Sequence, residues 1–153
     1  MNYKDWQNTL PQNITDDILW KMEVYRQALF LSELAWMDST KLQEDRRSNL
    51  IASQVYRAVG SISANIAEGY SRKSRKDQAR YYEYALGSAR EARTWYFQSR
   101  KVLGEAVVSH RLELITQIIK QLLVIIPSNR GHKISEEQAD YSIDIFLSEA
   151  PIP

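Results

Sequence analysis

The sequence predicts an all-α chain, arranged as an antiparallel up-down four-helix bundle that assembles as a homo-oligomer. Three observations carry the helical part of that prediction. All four prolines, Pro11, Pro127, Pro151 and Pro153, lie outside the span 12–126, and proline interrupts helix interiors. Only five glycines serve 153 residues, few for a β-rich protein with many tight turns. Apolar residues recur at steps of three and four along four long segments, which is the period of an amphipathic helix.

The first helix is expected from Asp16 to Met37. Thr15 suits its N-cap, and Asp16 and Asp17 suit the positive end of the helix dipole. Ile18, Met22, Tyr25, Leu29 and Trp36 form its apolar stripe. The second is expected from Asp45 to Glu68, with Ile51, Val55, Ala58, Ile62 and Ile66 in line and Gly69 as a left-handed cap. The third is expected from Arg75 to Leu103. Ser74 and Asp77 resemble a capping box, Tyr82, Ala85, Leu86, Ala89, Ala92, Tyr96 and Leu103 share a face, and Gly104 ends it. The fourth is expected from Val107 to Ile126, stopped by Pro127, with a stripe of Val108, Leu112, Ile115, Ile119, Leu122 and Ile126.

Helices of this size run about 30–40 Å, and short loops between them favour antiparallel neighbours. The expected organisation is an arm over residues 1–14, the bundle over 15–127, and an acidic tail over 128–153 with a candidate short helix from Ser135 to Ser148. Helix four is apolar on two sides, because Leu114, Ile118, Leu123 and Ile125 widen its stripe. A helix apolar on two sides is buried on two sides. These four residues are therefore the expected oligomer interface, with coverage by the tail as the alternative.

Two glycines, Gly60 and Gly87, fall inside predicted helices, where each costs about 1 kcal/mol relative to alanine. Small neighbours crowd both, so close helix–helix approach is the favoured reading over tolerated variation. Asn65 is expected to satisfy backbone groups of a neighbouring helix and Glu68 to pair with a basic residue across the following turn, with direct ligand contact as the alternative for both.

Several function classes are excluded or disfavoured. With no cysteine, there is no disulfide scaffold, thiolate zinc site or cysteine nucleophile. The two histidines, His110 and His132, are far apart in sequence, and no clustered ligand set accompanies either. No Gly-rich phosphate loop and no GxSxG elbow is present. No basic and apolar leader opens the sequence, and no run of about 18 apolar residues occurs. The expectation is a cytoplasmic, non-membrane protein without a cofactor, a metal or enzymatic activity.

The string Gln54-Val55-Tyr56-Arg57-Ala58-Val59-Gly60-Ser61-Ile62-Ser63-Ala64-Asn65-Ile66-Ala67-Glu68-Gly69 resembles the signature of a bacterial four-helix-bundle family. That family is named for intervening sequences in 23S ribosomal RNA genes. Tyr82, then Ala85-Leu86-Gly87-Ser88, then Glu91 resemble its second motif, in the family's order and spacing. The resemblance spans about residues 18–126. It marks Asn65, Glu68, Gly69, Gly87, Ser88 and Glu91 as motif positions. It implies a compact bundle that assembles as a homo-oligomer, commonly a pentamer, without enzymatic activity. Family members similar to the accessory protein of diversity-generating retroelements bind nucleic acid and a reverse transcriptase through basic surfaces. Thr94-Trp95-Tyr96-Phe97 and the long tail depart from the family pattern.

The net charge of +1 averages unlike segments. Residues 1–45 and 132–153 each carry −4, whereas residues 46–101 carry +8. The densest basic run is Arg72-Lys73-Ser74-Arg75-Lys76, and Arg80, Arg90, Arg93, Arg100 and Lys101 extend it along helix three. Arg90, Arg93, Phe97 and Arg100 fall on one face. A linear basic face suits a phosphate backbone, and Tyr81, Tyr84 and Trp95 offer rings for stacking on unpaired bases. These nine basic residues form the expected nucleic-acid-binding surface of a non-enzymatic accessory protein that also engages a reverse transcriptase. A protein-interaction scaffold without nucleic-acid binding is the alternative.

Overall fold

The computed structural model describes residues 1–131 and 149–153; the candidate short helix over residues 135–148 lies outside the described residues. Every regular element among the described residues is helical. The helices are α1 (Tyr3–Asn8), α2 (Gln12–Thr15), α3 (Glu23–Gln43), α4 (Asn49–Tyr70), α5 (Arg75–Leu103) and α6 (Glu105–Asn129), with 3₁₀ turns at Ile18–Lys21 and Arg46–Ser48. Among the four long helices, α4 packs broadly on α5, α5 on α6 and α3 on α4, while α3 meets α6 along a narrower seam.

Helix α5 covers the span the sequence predicts. The Ser74 hydroxyl accepts from the Asp77 backbone N–H at 3.1 Å and donates to the Asp77 carboxylate at 2.7 Å. That satisfies one of the four unpaired N–H groups of a helix start. Gly104 ends the helix with φ +83° and separates α5 from α6 alone. A side chain there would be strained.

Helix α3 starts seven residues later than the sequence suggests. Thr15 closes α2, its hydroxyl donating to the Gln12 carbonyl, rather than capping a long helix. Asp17 caps the 3₁₀ turn by accepting from Leu19 N–H at 2.8 Å. The chain then extends at Met22 before α3 begins. The stripe is also different. Ile18 and Trp36 are exposed, and Val24, Ala28, Leu31, Leu34, Ala35 and Leu42 form the buried face.

Helix α4 begins at Asn49, because Asp45 caps the Arg46–Ser48 turn instead, accepting from Arg47 N–H at 2.9 Å. Val55, Ala58, Ile62 and Ile66 are fully buried, as the spacing predicts. Gly69 is not a left-handed cap. It lies inside the helix without positive φ. A Cβ there would sit 2.9 Å from the Tyr81 Cβ and 2.9 Å from the Tyr82 ring. Gly69 is where α4 and α5 touch. Gly60 and Gly87, expected to permit close approach, are exposed and face open space.

Helix α6 runs through Pro127 to Asn129. Pro127 lacks an N–H for the carbonyl of Leu123, which is an exposed residue. The last turn continues because Arg130 N–H bonds to the carbonyls of Ile126 and Pro127. Leu114 and Ile118 are buried within this one chain, which removes them from the expected oligomer interface; Leu123 is exposed and Ile125 half-buried. Leu114 and Ile118 are thus covered by their own chain, and α6 also meets α3 along the narrower seam. There Gln121 donates to Gln27 at 2.8 Å, and Gln27 donates to Glu23 at 3.2 Å.

Residues 1–14 are not a free arm. Tyr3 and Trp6 are buried, and each ring lies 5.1 Å from Phe30 of α3. Residues 149–153 also dock, with Ala150 buried and its backbone paired with Met1.

The interior also holds a charged cluster. Asp38 of α3 and Arg111 of α6 are both fully buried. Arg111 Nε and Nη2 donate to the two Asp38 carboxylate oxygens at 2.8 and 3.0 Å, and the Tyr96 hydroxyl of α5 donates to the same carboxylate at 2.8 Å. Three helices are thus joined at one point. Burial first, and the Asp38 charge second, push the Tyr96 hydroxyl well above the usual tyrosine pKa. A phenol whose folded pKa exceeds its unfolded value stabilises the fold below the unfolded value, and that stabilisation is lost as pH rises towards the folded one. Stability should therefore decline above about pH 10. Tyr96→Phe should flatten that alkaline decline in urea titrations. An unchanged slope would show that Tyr96 does not govern it.

Candidate nucleic-acid interface

The predicted basic residues lie along the outer side of α5 and in the turn that precedes it. At 1.5 Å per residue, the line from Arg75 to Lys101 is about 40 Å long. It divides into an unpaired set and a set engaged within the fold.

Lys73, Arg75 and Lys76 are exposed and carry no ion pair among the described residues. The same holds for Arg90, Arg93 and Lys101 further along α5. Arg93 and Phe97 line a shallow groove with Leu112 and Thr116 of α6, so the three-four-three face read from the sequence borders α6. Arg100 lies over the Phe97 ring at 4.3 Å and donates to the Phe97 carbonyl. Arg80 donates to the Tyr84 hydroxyl at 2.7 Å and lies 5.7 Å from its ring. One acid interrupts the line: Glu83 is paired with Arg130, the residue that follows α6.

Arg72 differs from its neighbours. It is half-buried, ion-paired with Glu68 and stacked over Tyr81 at 4.6 Å, with a further bond to the Tyr81 hydroxyl at 3.0 Å. It pins the turn between α4 and α5 rather than facing outward. Glu68 therefore pairs as the sequence suggests. Asn65 does not reach a neighbouring helix; its side chain donates to Ser61 of its own helix at 2.8 Å. Glu91 pairs with Arg57 of α4 and accepts from Trp95 at 3.3 Å, which ties α5 to α4. Ser88 donates to the Tyr84 carbonyl. Of the expected stacking rings, Tyr81 lies under Arg72 and Trp95 is bound to Glu91. Tyr84 stays exposed, as does Phe97.

The motif positions thus serve different ends. Gly69, Glu68 and Glu91 hold α4 against α5, while Gly87 faces outward. The buried Asp38–Arg111 pair escaped the sequence reading. Its signal was present as a lone acid continuing the apolar stripe of α3 and a lone arginine amid the apolar run of α6.

A profile of 23S rRNA-intervening sequence proteins matches residues 20–123. The chain belongs to that family. The match takes in all of α3, α4 and α5 and most of α6. A solved structure is similar: a protein of unknown function from the S23 ribosomal protein family of Bacteroides thetaiotaomicron, with TM-score 0.64 and 24% identity. The alignment covers 67% of this chain and 97% of that one, and it bears on the fold alone. No curated protein matches the chain. No helix among the described residues is long and apolar enough to cross a membrane. No group of three or more His, Asp or Glu among them could hold a metal ion.

Proposed function

We propose that this intervening-sequence family member is a non-catalytic, cytoplasmic accessory protein that binds nucleic acid through the outer side of α5. Its four long helices act as an antiparallel up-down bundle, and copies of it assemble into a homo-oligomer. A pentamer and a reverse transcriptase partner follow from the family resemblance. The observation that carries the reading is the set of unpaired cations, Lys73 in the turn before α5 and Arg75, Lys76, Arg90, Arg93 and Lys101 along about 40 Å of that one helix. That length slightly exceeds one turn of duplex. Each neutralised phosphate releases counterions, and repetition of the row in an oligomer multiplies the weak contacts.

Filter binding of a structured RNA across a salt series tests it. Log affinity should fall linearly with log salt, with a slope of about −0.7 to −0.9 per phosphate contact. Absence of binding at about 50 mM salt would end the proposal.

The scaffold reading has its own support. Trp36 and Tyr56 are exposed and meet edge to face at 5.9 Å, across a groove also lined by Ile14 and Leu29. An exposed apolar patch marks protein contact more readily than phosphate contact.

A further inference from the structure

We infer that the fold contains a docking site for an extended peptide of the pattern small residue–Pro–apolar, occupied here by residues 149–153 of the same chain. The site has four parts, contributed by separate elements. The first is the fully buried Arg111, which spends Nε and one Nη2 contact on Asp38 and directs Nη1 to His110 Nδ1 at 2.9 Å. Its Nη2 also donates to the Pro151 carbonyl at 2.9 Å. A buried guanidinium with two acceptors fixed by the fold thus offers a further N–H to a passing main chain.

The second part is Met1, whose terminal ammonium donates to the Ala150 carbonyl and whose carbonyl accepts from the Ala150 N–H, each at 2.9 Å. That reciprocal pairing is how sheet edges recruit extended peptides. The third is the enclosure of Ala150, which is 2% exposed, so that its side chain is removed from solvent. The fourth is a shelf on α3, where Trp36 and Met37 line a groove with Ile152 and Pro153. Main-chain bonds supply affinity, and the enclosure of Ala150 and the shelf supply selectivity. Proline suits position 151, because its carbonyl is used and its missing N–H is not needed.

The occupant is separable from its site. Residues 149–153 belong to none of the helices and are held by the contacts above, so they can leave while the helices remain packed. Asp38 and His110 still hold Arg111 after departure. Because the segment belongs to the same chain, its docking is intramolecular, and a free peptide must compete with it.

The test uses full-length chain carrying Ala150→Glu, which cannot seat its own segment, and a fluorescent peptide of residues 148–153. In polarisation measurements the variant should bind the peptide saturably. The unmodified chain should need about tenfold more peptide or greater. The peptide carrying Glu in place of Ala should not bind. A variant with native helical circular dichroism that ignores the peptide, or equal binding by the unmodified chain, overturns the inference. Should the variant lose helicity, a protease site inserted between residues 132 and 148 of the otherwise unmodified chain replaces it. After cleavage the labelled peptide should exchange for the cut segment, and failure to exchange overturns the inference equally.

Discussion

Asp38→Ala should lower the unfolding free energy by about 3–5 kcal/mol, the largest loss expected from any single substitution in the chain. The reason is what remains. Arg111 would stay at zero exposure with its guanidinium uncompensated, and Tyr96 would lose the acceptor of its hydroxyl. A buried charge without a partner costs far more than the pair itself contributes, because desolvation is already incurred. The double variant Asp38→Leu, Arg111→Met removes both charges and should recover most of the loss. Urea unfolding of the three proteins separates the effects. A loss below about 1 kcal/mol for Asp38→Ala would place the pair with solvated surface bridges instead.

Gly69→Ala should lower stability by about 1–3 kcal/mol, although alanine is the better helix former. The added Cβ meets the Tyr81 Cβ, which is fixed to the α5 backbone and cannot swing away. Relief requires α4 and α5 to move apart, and that loosens the Arg72 stack on Tyr81. Gly60→Ala and Gly87→Ala provide the contrast. Both positions are helical and face open space, so each should gain up to about 1 kcal/mol. Thermal melts of the three variants should show one loss and two gains. A common sign for all three would refute the contact assigned to Gly69.

These variants also mark what the sequence could convey. The extent of α5 was legible because a cap residue, a clear apolar face and a terminal glycine all agreed. Around α3 the local signals conflicted. Thr15, Asp16 and Asp17 read as one helix start, yet Asp17 caps a 3₁₀ turn, and the apolar residues on all sides concealed which face is buried. The three glycines within helices, Gly60, Gly69 and Gly87, look alike in sequence. Only Gly69 has a neighbour close enough to matter, and that neighbour comes from another helix. Long-range pairing was similarly hidden. Asp38 and Arg111 meet only after their helices are assembled, and Leu114 and Ile118 looked like an interface because the parts of the same chain that cover them were not visible along it. The basic line on α5 was legible, since a single straight helix carries it. That Arg72 belongs to the turn's own architecture was not, because Glu68 and Tyr81 had to be in place first.

That distinction gives the most direct measurement of the proposed nucleic-acid surface. Lys73, Arg75 and Lys76 can be changed together to alanine without touching the Arg72 stack or the Asp38 cluster. In RNA filter binding across a salt series, the triple variant should remain folded, bind more weakly, and lose about 2 to 3 from the steepness of its log affinity against log salt plot. An affinity and a salt slope equal to those of the unmodified chain would contradict the account.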